Sequence, residues 1–118
     1  MANAANRGVK VRVVIANDPP LSSSQTQAIN LVKNAGGKVV VSGPDSSSGT
    51  MSDPYIHAKA IVIDCSGTSC KSGFIGSENF SAGSLGYNRE LGVIFSTQAE
   101  LAKVESAIAT DYAAGTAQ

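Results

Sequence analysis

One histidine and one lysine, two positions apart, form the first group in this sequence that could perform chemistry. His57 is the only histidine of the chain. His57 and Lys59 lie on a predicted strand, so both side chains leave the same face. An imidazole can attack phosphorus or donate a proton, and a neighbouring ammonium can bind phosphate oxygens. A lone histidine is more often structural, so the assignment depends on the residues that accompany it.

Three polar residues further along the chain complete a candidate site. Ser77 and Asn79 repeat the two-residue spacing and add a hydroxyl and an amide. Glu90 directly precedes an apolar strand, where an ionised group needs a partner. Lys59 and Asn79 could hold phosphate oxygens, and Glu90 could fix the tautomer of His57 through its other ring nitrogen. Together these residue types indicate phosphoryl chemistry that needs no metal.

Each of these residues also has a simpler explanation. Lys59 could be a solvated lysine on a strand edge. Ser77 and Asn79 are common turn formers, and a glycine precedes them. Glu90 could form a salt bridge with Arg89 or with Lys59. The argument for a site therefore rests on the set of residues and not on any single one.

Three blocks of the sequence resemble the HKD signature and its downstream motifs in the phospholipase D superfamily. They run from His57 to Asp64, from Gly76 to Ser81 and from Asn88 to Gly92. The resemblance extends in order from about Gly8 to the closing helix. It implies an α/β fold, a mixed sheet flanked by helices, with residues 1–118 forming a single phospholipase D-like repeat.

The resemblance also implies roles for the site residues. His57 would be the nucleophile that forms a phosphohistidine, or the general acid opposite it. Lys59 and Asn79 would bind the phosphate, with Ser77 lining the site, and Glu90 would hydrogen-bond His57. The implied activity is cleavage or transfer of a phosphatidyl group, without cofactor or metal. The alternatives are a metal-independent endonuclease acting as a homodimer and a catalytically incomplete half-domain.

The sequence departs from the family pattern just after the motif aspartate, Asp64, which the resemblance makes structural. Cys65 and Cys70 enclose four residues rich in Ser and Gly, which can turn tightly and bring two sulfurs together. A disulfide in a lengthened hairpin is the favoured interpretation, and it favours a secreted or periplasmic protein. Two unpaired thiols on a surface turn are the alternative.

A second departure concerns how the site is assembled. Family repeats begin with a strand and a helix before the strand that starts near Val9, and this sequence shows only a helical turn there. The family mechanism also needs two histidines, and this chain has one. We therefore expect a second HKD half, from a homodimer or from an N-terminal half of a longer protein.

The elements that must position these residues can be predicted from hydrophobic patterns. A strand over 9–15, a helix opened by Ser22-x-x-Gln25 and a buried strand at 39–41 precede a serine-rich loop over 42–54. Strands over 56–64, 73–76 and 91–95 follow, with a mixed stretch over 77–88. A helix opened by Thr97-x-x-Glu100 closes the chain, with an apolar stripe from Leu101 to Tyr112.

Composition limits the possible partners. Lys and Arg total nine, as do Asp and Glu, so the formal charge is zero, which argues mildly against a nucleic-acid partner. Hydrophobic residues make up 42% and charged residues 15%, which suits a packed α/β domain. No apolar run approaches the roughly 20 residues of a membrane-spanning helix. A phospholipid or other phosphodiester is the expected substrate, with nucleic acid as the alternative.

Overall fold

The computed structural model describes residues 1–118 and confirms the α/β class. The elements are α1 (Ala2–Asn6), β1 (Arg12–Ala16), α2 (Ser23–Asn34), β2 (Lys38–Ser42), β3 (Lys59–Ile63), β4 (Ser72–Gly76), α3 (Ala82–Tyr87), β5 (Gly92–Phe95), α4 (Gln98–Ala114) and β6 (Thr116–Ala117). They divide into two compact units, Met1–Ile56 with Thr110–Gln118, and His57–Ala109.

The first unit is a three-stranded sheet in the order β1-β2-β6. β1 and β2 are parallel, and a chain that joins parallel strands needs a long crossover, which α2 supplies. α2 begins with the predicted capping box, because Ser22 Oγ accepts from Gln25 N and Gln25 Oε1 accepts from Ser22 N. Val39 and Val40 are buried, as their β-branched run predicts.

The second unit is an antiparallel sheet in the order β3-β4-β5. Leu101, fully buried, packs on this sheet from the first turn of α4. A Cβ built on Gly73 would lie 3.0 Å from Leu101 Cδ2 and 2.8 Å from Phe95 Cε2. The glycine is therefore what allows the helix and the Phe95 ring to approach β4 this closely, and Leu101 anchors the core of this unit.

The β3–β4 hairpin ends in the cysteine turn. Cys65 and Cys70 are joined by a disulfide with an S–S distance of 2.05 Å. Asp64 opens the turn with a positive φ of 54°, which aspartate tolerates better than most residues, and its carboxylate lies 3.8 Å from Lys71 Nζ. Both side chains of that pair are exposed, so it adds little stability. Asp64 therefore lies at the start of the cysteine turn, and its structural role stays a prediction.

The sequence-based elements differ from the structure in four places. The strands form two separate sheets where one mixed sheet was expected. β3 begins at Lys59, so His57 precedes the strand: the prediction that both residues lie on one strand was wrong, because the ladder with β4 starts at Lys59 opposite Gly76. The mixed stretch contains a short helix, α3, and two residues after α4 form β6.

Candidate active site

The register of the second sheet brings three chain segments to one edge. β3 begins at Lys59, which pairs with Gly76 at the end of β4, and Gly76 pairs with Gly92 at the beginning of β5. Residues just before β3, just after β4 and just before β5 must therefore leave the sheet at the same edge. These are the segments that contain His57, the Gly-Ser-Glu-Asn motif and Glu90.

Glu90 is the centre of a hydrogen-bond network at this edge. Ser77 Oγ donates to Glu90 Oε2 at 2.6 Å, and Ser84 Oγ donates to Oε1. Asn88 Nδ2 donates to the same Oε1 at 3.3 Å. Ser77 Oγ in turn accepts from Leu91 N at 3.2 Å, which ties the serine to the chain beside the glutamate. Both carboxylate oxygens therefore have donors, although the residue stands before an apolar strand.

The same donors favour the ionised form of Glu90. Donation from Ser77, then from Ser84, lowers the pKa of Glu90 below its ordinary value of 4.5. Partial burial opposes the shift, and Asn88 and the positive charge of Lys59 add to it. At neutral pH the site thus holds a fixed negative charge beside the Lys59 ammonium.

Lys59 joins this network to the histidine segment. Its Nζ donates to the backbone oxygen of His57 at 2.7 Å, and its charge acts on Glu90. Lys59 is half-buried, whereas the His57 side chain is exposed. The hydrogen bond ties the Lys59 ammonium to the backbone of His57.

Asn79 is held by a residue that the sequence patterns did not single out. Ser84, 4% exposed, accepts from Asn79 N at 3.0 Å and also donates to Glu90. Ser84 lies in α3, whose N-cap Ser81 accepts from Ser84 N at 3.3 Å. Ser81, three positions before Ser84, is the sequence signal that could have revealed this helix, because serine is a favoured N-cap residue. Asn79 itself is exposed.

The structure thus brings Ser77 and Glu90 into one hydrogen-bond network, which Ser84 links to the backbone of Asn79. Lys59 is bonded to the backbone of His57 and acts on Glu90 only through its charge. Asp64 lies beyond the other end of β3, away from them. The hydrogen bond from His57 to Glu90 and the binding of phosphate by Lys59, Asn79 and Ser77 stay predictions.

No group of three or more His, Cys, Asp or Glu side chains is placed to hold a metal ion. No helix combines the length and apolarity needed to cross a membrane.

The α/β fold and the residues at this sheet edge can be compared with known proteins. A family model described as "Cardiolipin synthase, PLD-like domain" matches residues 1–112. The chain belongs to this family, whose superfamily consists generally of phosphodiesterases. A search of curated proteins finds no match to the sequence.

Two solved structures share the fold. One is a phospholipase D family member, Nuc from Salmonella typhimurium, with a TM-score of 0.78 and 21% sequence identity. The match covers 99% of this chain and 69% of that one. The other, NucT from Helicobacter pylori, gives the same TM-score and identity over 99% of this chain and 70% of its own. Both support a single phospholipase D-like repeat.

Proposed function

We propose that the chain supplies one half of a metal-independent phosphodiesterase site that cleaves or transfers a phosphatidyl group. The observation that carries the proposal is the network at the sheet edge. Ser77 donates to the ionised Glu90, and Lys59, whose charge acts on Glu90, is bonded to the backbone of His57, the only histidine of the chain. A cation, a hydroxyl and a carboxylate held in place before substrate arrives are the preorganised groups that such chemistry uses.

The proposed reaction has two steps. A ring nitrogen of His57 attacks phosphorus, the bond to the leaving alcohol breaks, and the second histidine of the assembly protonates the departing oxygen. Water or another alcohol, deprotonated by that second histidine, then attacks the phosphohistidine and releases His57. Lys59 and Asn79 supply positive and polar contacts to the phosphoryl oxygens, so no metal is required.

Apolar side chains around the site favour a lipid substrate. Phe80, Leu85, Tyr87 and Leu91 follow or precede the site residues directly and are 58%, 64%, 91% and 77% exposed. Exposed apolar groups near a site are typical of surfaces that bind lipid or another protein. The zero formal charge agrees with a lipid surface better than with a polyanionic nucleic acid.

A nuclease that acts as a homodimer is the second candidate. It is favoured by the lengths of the two similar structures. The match leaves less than a third of each of those chains uncovered, which is too little for a second domain of this size. Proteins of this fold thus exist with one repeat in each chain, and a shared site then requires two chains.

Turnover on three substrates separates these candidates. The full chain is assayed with bis(p-nitrophenyl) phosphate, with phosphatidylcholine vesicles and with single-stranded DNA, each with and without EDTA. We expect EDTA-resistant cleavage of the first two substrates. Cleavage of DNA but not of vesicles would support the nuclease instead. Strict dependence on an added divalent ion would reject the proposed chemistry.

Inhibition by tungstate tests the phosphate-binding groups. Tungstate resembles the phosphoryl group and should be bound by Lys59 and Asn79. We expect Lys59→Met to reduce tungstate affinity by about tenfold or more, since a charged hydrogen bond contributes about 1.5–3 kcal/mol. Lys103→Met removes the same charge from an exposed position on α4 and is the matched control. Equal loss in both variants would contradict the assignment of Lys59.

A further inference from the structure

The carboxylate of Glu78, the third residue of the Gly-Ser-Glu-Asn motif, lies over the β4–β5 strand pair. A Cβ built on Gly92 would lie 2.7 Å from Glu78 Oε1 and 2.8 Å from Phe74 Cζ. A Cβ built on Gly76, the register partner of Gly92, would collide with Glu78 Oε2. Two adjacent glycines therefore create the space in which the carboxylate and the edge of the Phe74 ring lie together.

The chain does not satisfy this carboxylate. Glu78 Oε2 is buried and has no hydrogen-bond partner. No lysine or arginine of the chain forms an ion pair with Glu78. A carboxylate that loses hydration without gaining a donor or a cation costs free energy. The arrangement is therefore one that a cation from outside the chain would stabilise.

The Phe74 ring, whose edge lies beside this carboxylate, is followed by a second ring, that of Phe80. The centroids of Phe74 and Phe80 are 6.1 Å apart, with the rings tilted by 55°. Phe80 is 58% exposed, so its ring is open to solvent. Aromatic rings attract organic cations, and a nearby carboxylate compensates their charge. Carboxylate and rings together therefore match the chemistry of an alkylammonium group, which carries a positive charge on an apolar surface.

We propose that Glu78, Phe74 and Phe80 form a binding site for an alkylammonium group. Glu78 lies between Ser77 and Asn79 in the sequence, so the site adjoins the proposed phosphate site. The ammonium could belong to the alcohol half of a phosphodiester or to a free amine. Only the first possibility, an ammonium group that belongs to a phosphodiester substrate, rests on the proposed function. The ammonium site itself does not depend on it.

Binding of choline chloride to the full chain tests the site directly. Isothermal titration compares choline with 3,3-dimethyl-1-butanol, its uncharged isostere. We expect choline to bind about tenfold or more tightly than the isostere, and Glu78→Gln to remove most of that difference. Phe80→Ala should weaken choline binding by about threefold or more. Glu100→Gln, which neutralises an exposed carboxylate on α4, should bind choline as the wild type does.

Two results would overturn the inference. One is equal affinity of the wild type for choline and for the isostere. The other is unchanged choline affinity in Glu78→Gln, with circular dichroism showing a folded chain. Titration measures binding and not turnover, so the result can be read even if bis(p-nitrophenyl) phosphate is not cleaved. Failure of the ammonium site and failure of the proposed phosphodiesterase are therefore distinguishable.

Phosphocholine and vesicles identify the source of the ammonium. If the group belongs to a phosphodiester, phosphocholine should bind about fivefold or more tightly than choline, because it adds a charged contact. Phosphatidylcholine vesicles should then retain the chain better than phosphatidylglycerol vesicles, and Glu78→Gln should abolish that preference. Equal affinity for choline and phosphocholine would support the site as one for free amines and would overturn its link to the phosphate site.

Discussion

Glu90 shows how neighbouring hydroxyls favour the charged form of a single carboxylate. Ser77 and Ser84 donate to its two oxygens, and no lysine or arginine contacts it within ion-pair distance. Hydrogen bonds to the charged form favour that form, as an opposite charge would. The network therefore gives the site a fixed carboxylate without a contact from the Lys59 ammonium, which donates to the backbone of His57.

The pKa of Glu90 should rise when Ser77 is replaced by alanine. Ser77 is the largest cause of the lowered pKa, so Ser77→Ala moves the pKa toward its ordinary value of 4.5. The lowered pKa stabilises the fold above that ordinary value, and this contribution is lost as the pH falls through the folded pKa. Carboxyl carbon shifts followed by NMR over pH 2–7 measure the change. Ser96→Ala, an exposed serine, is the control, and an unshifted titration in Ser77→Ala would contradict the network.

His57→Asn should abolish phosphodiesterase activity without unfolding the protein. Loss of the nucleophile or acid from a two-step transfer costs on the order of 10³-fold or more. The side chain is exposed, so the substitution leaves the packing of the sheet intact. Turnover of bis(p-nitrophenyl) phosphate and circular dichroism measure the two effects. Activity within tenfold of the wild type would exclude His57 as a catalytic residue.

At the scale of the elements, patterns with a local cause could be predicted from the sequence. The capping box at Ser22 depends on two residues three apart, and it is present as predicted. α3 was not predicted because it is only six residues long, contains two glycines and has no apolar stripe. The division of strands between two sheets depends on which edges pair, and no local pattern encodes that choice.

In the candidate site, too, residues with a local sequence signal could be predicted, and contacts that form only in the folded chain could not. Ser77 and Glu90 could be singled out because their types and spacing are readable along the chain. Ser84 could not, because its contact with Glu90 exists only after α3 has formed and turned its first residues toward the sheet edge. The unsatisfied carboxylate of Glu78 is likewise a consequence of two glycines meeting across β4 and β5.

The cysteine hairpin should stabilise the fold without affecting the site. Cys70 is buried, and its backbone oxygen accepts from Gln98 Nε2 at 2.8 Å, which fastens the turn to the beginning of α4. Closing so short a loop contributes about 2 kcal/mol in the chain-entropy account. We expect Cys65→Ser with Cys70→Ser to lower the free energy of unfolding by about that amount. Turnover should stay within about twofold, because the turn lies beyond the other end of β3 from His57.

The bond itself is checked by intact mass after alkylation, with and without reductant. We expect protein made in an oxidising compartment to gain no alkyl groups until it is reduced. Two alkylated cysteines without reduction would rule the bridge out. Urea denaturation of the wild type and the double variant gives the stability difference, and an unchanged midpoint would show that the turn is held by its other contacts.

At the scale of the whole molecule, the chain has one histidine, whereas the proposed reaction calls for two. The second unit also exposes apolar residues on its sheet: Ile63, Val93 and Ile94 are 51%, 53% and 78% exposed. Exposed apolar surface of this kind promotes association. A homodimer would be isologous, with each chain contributing His57 near the twofold axis. We therefore expect the monomer to be inactive and activity to follow assembly.

Dilution and mixing test that expectation together. Light scattering and specific activity are measured over a dilution series, and activity should fall as the dimer dissociates.

Wild-type chains are also re-associated with an equal amount of His57→Asn chains. If each dimer contains one shared site that needs both histidines, about a quarter of the dimers stay active, because only wild-type pairs are complete. Independent sites would leave about half of the activity. That outcome, or constant specific activity in demonstrably monomeric protein, would defeat the shared site and the two-histidine mechanism with it.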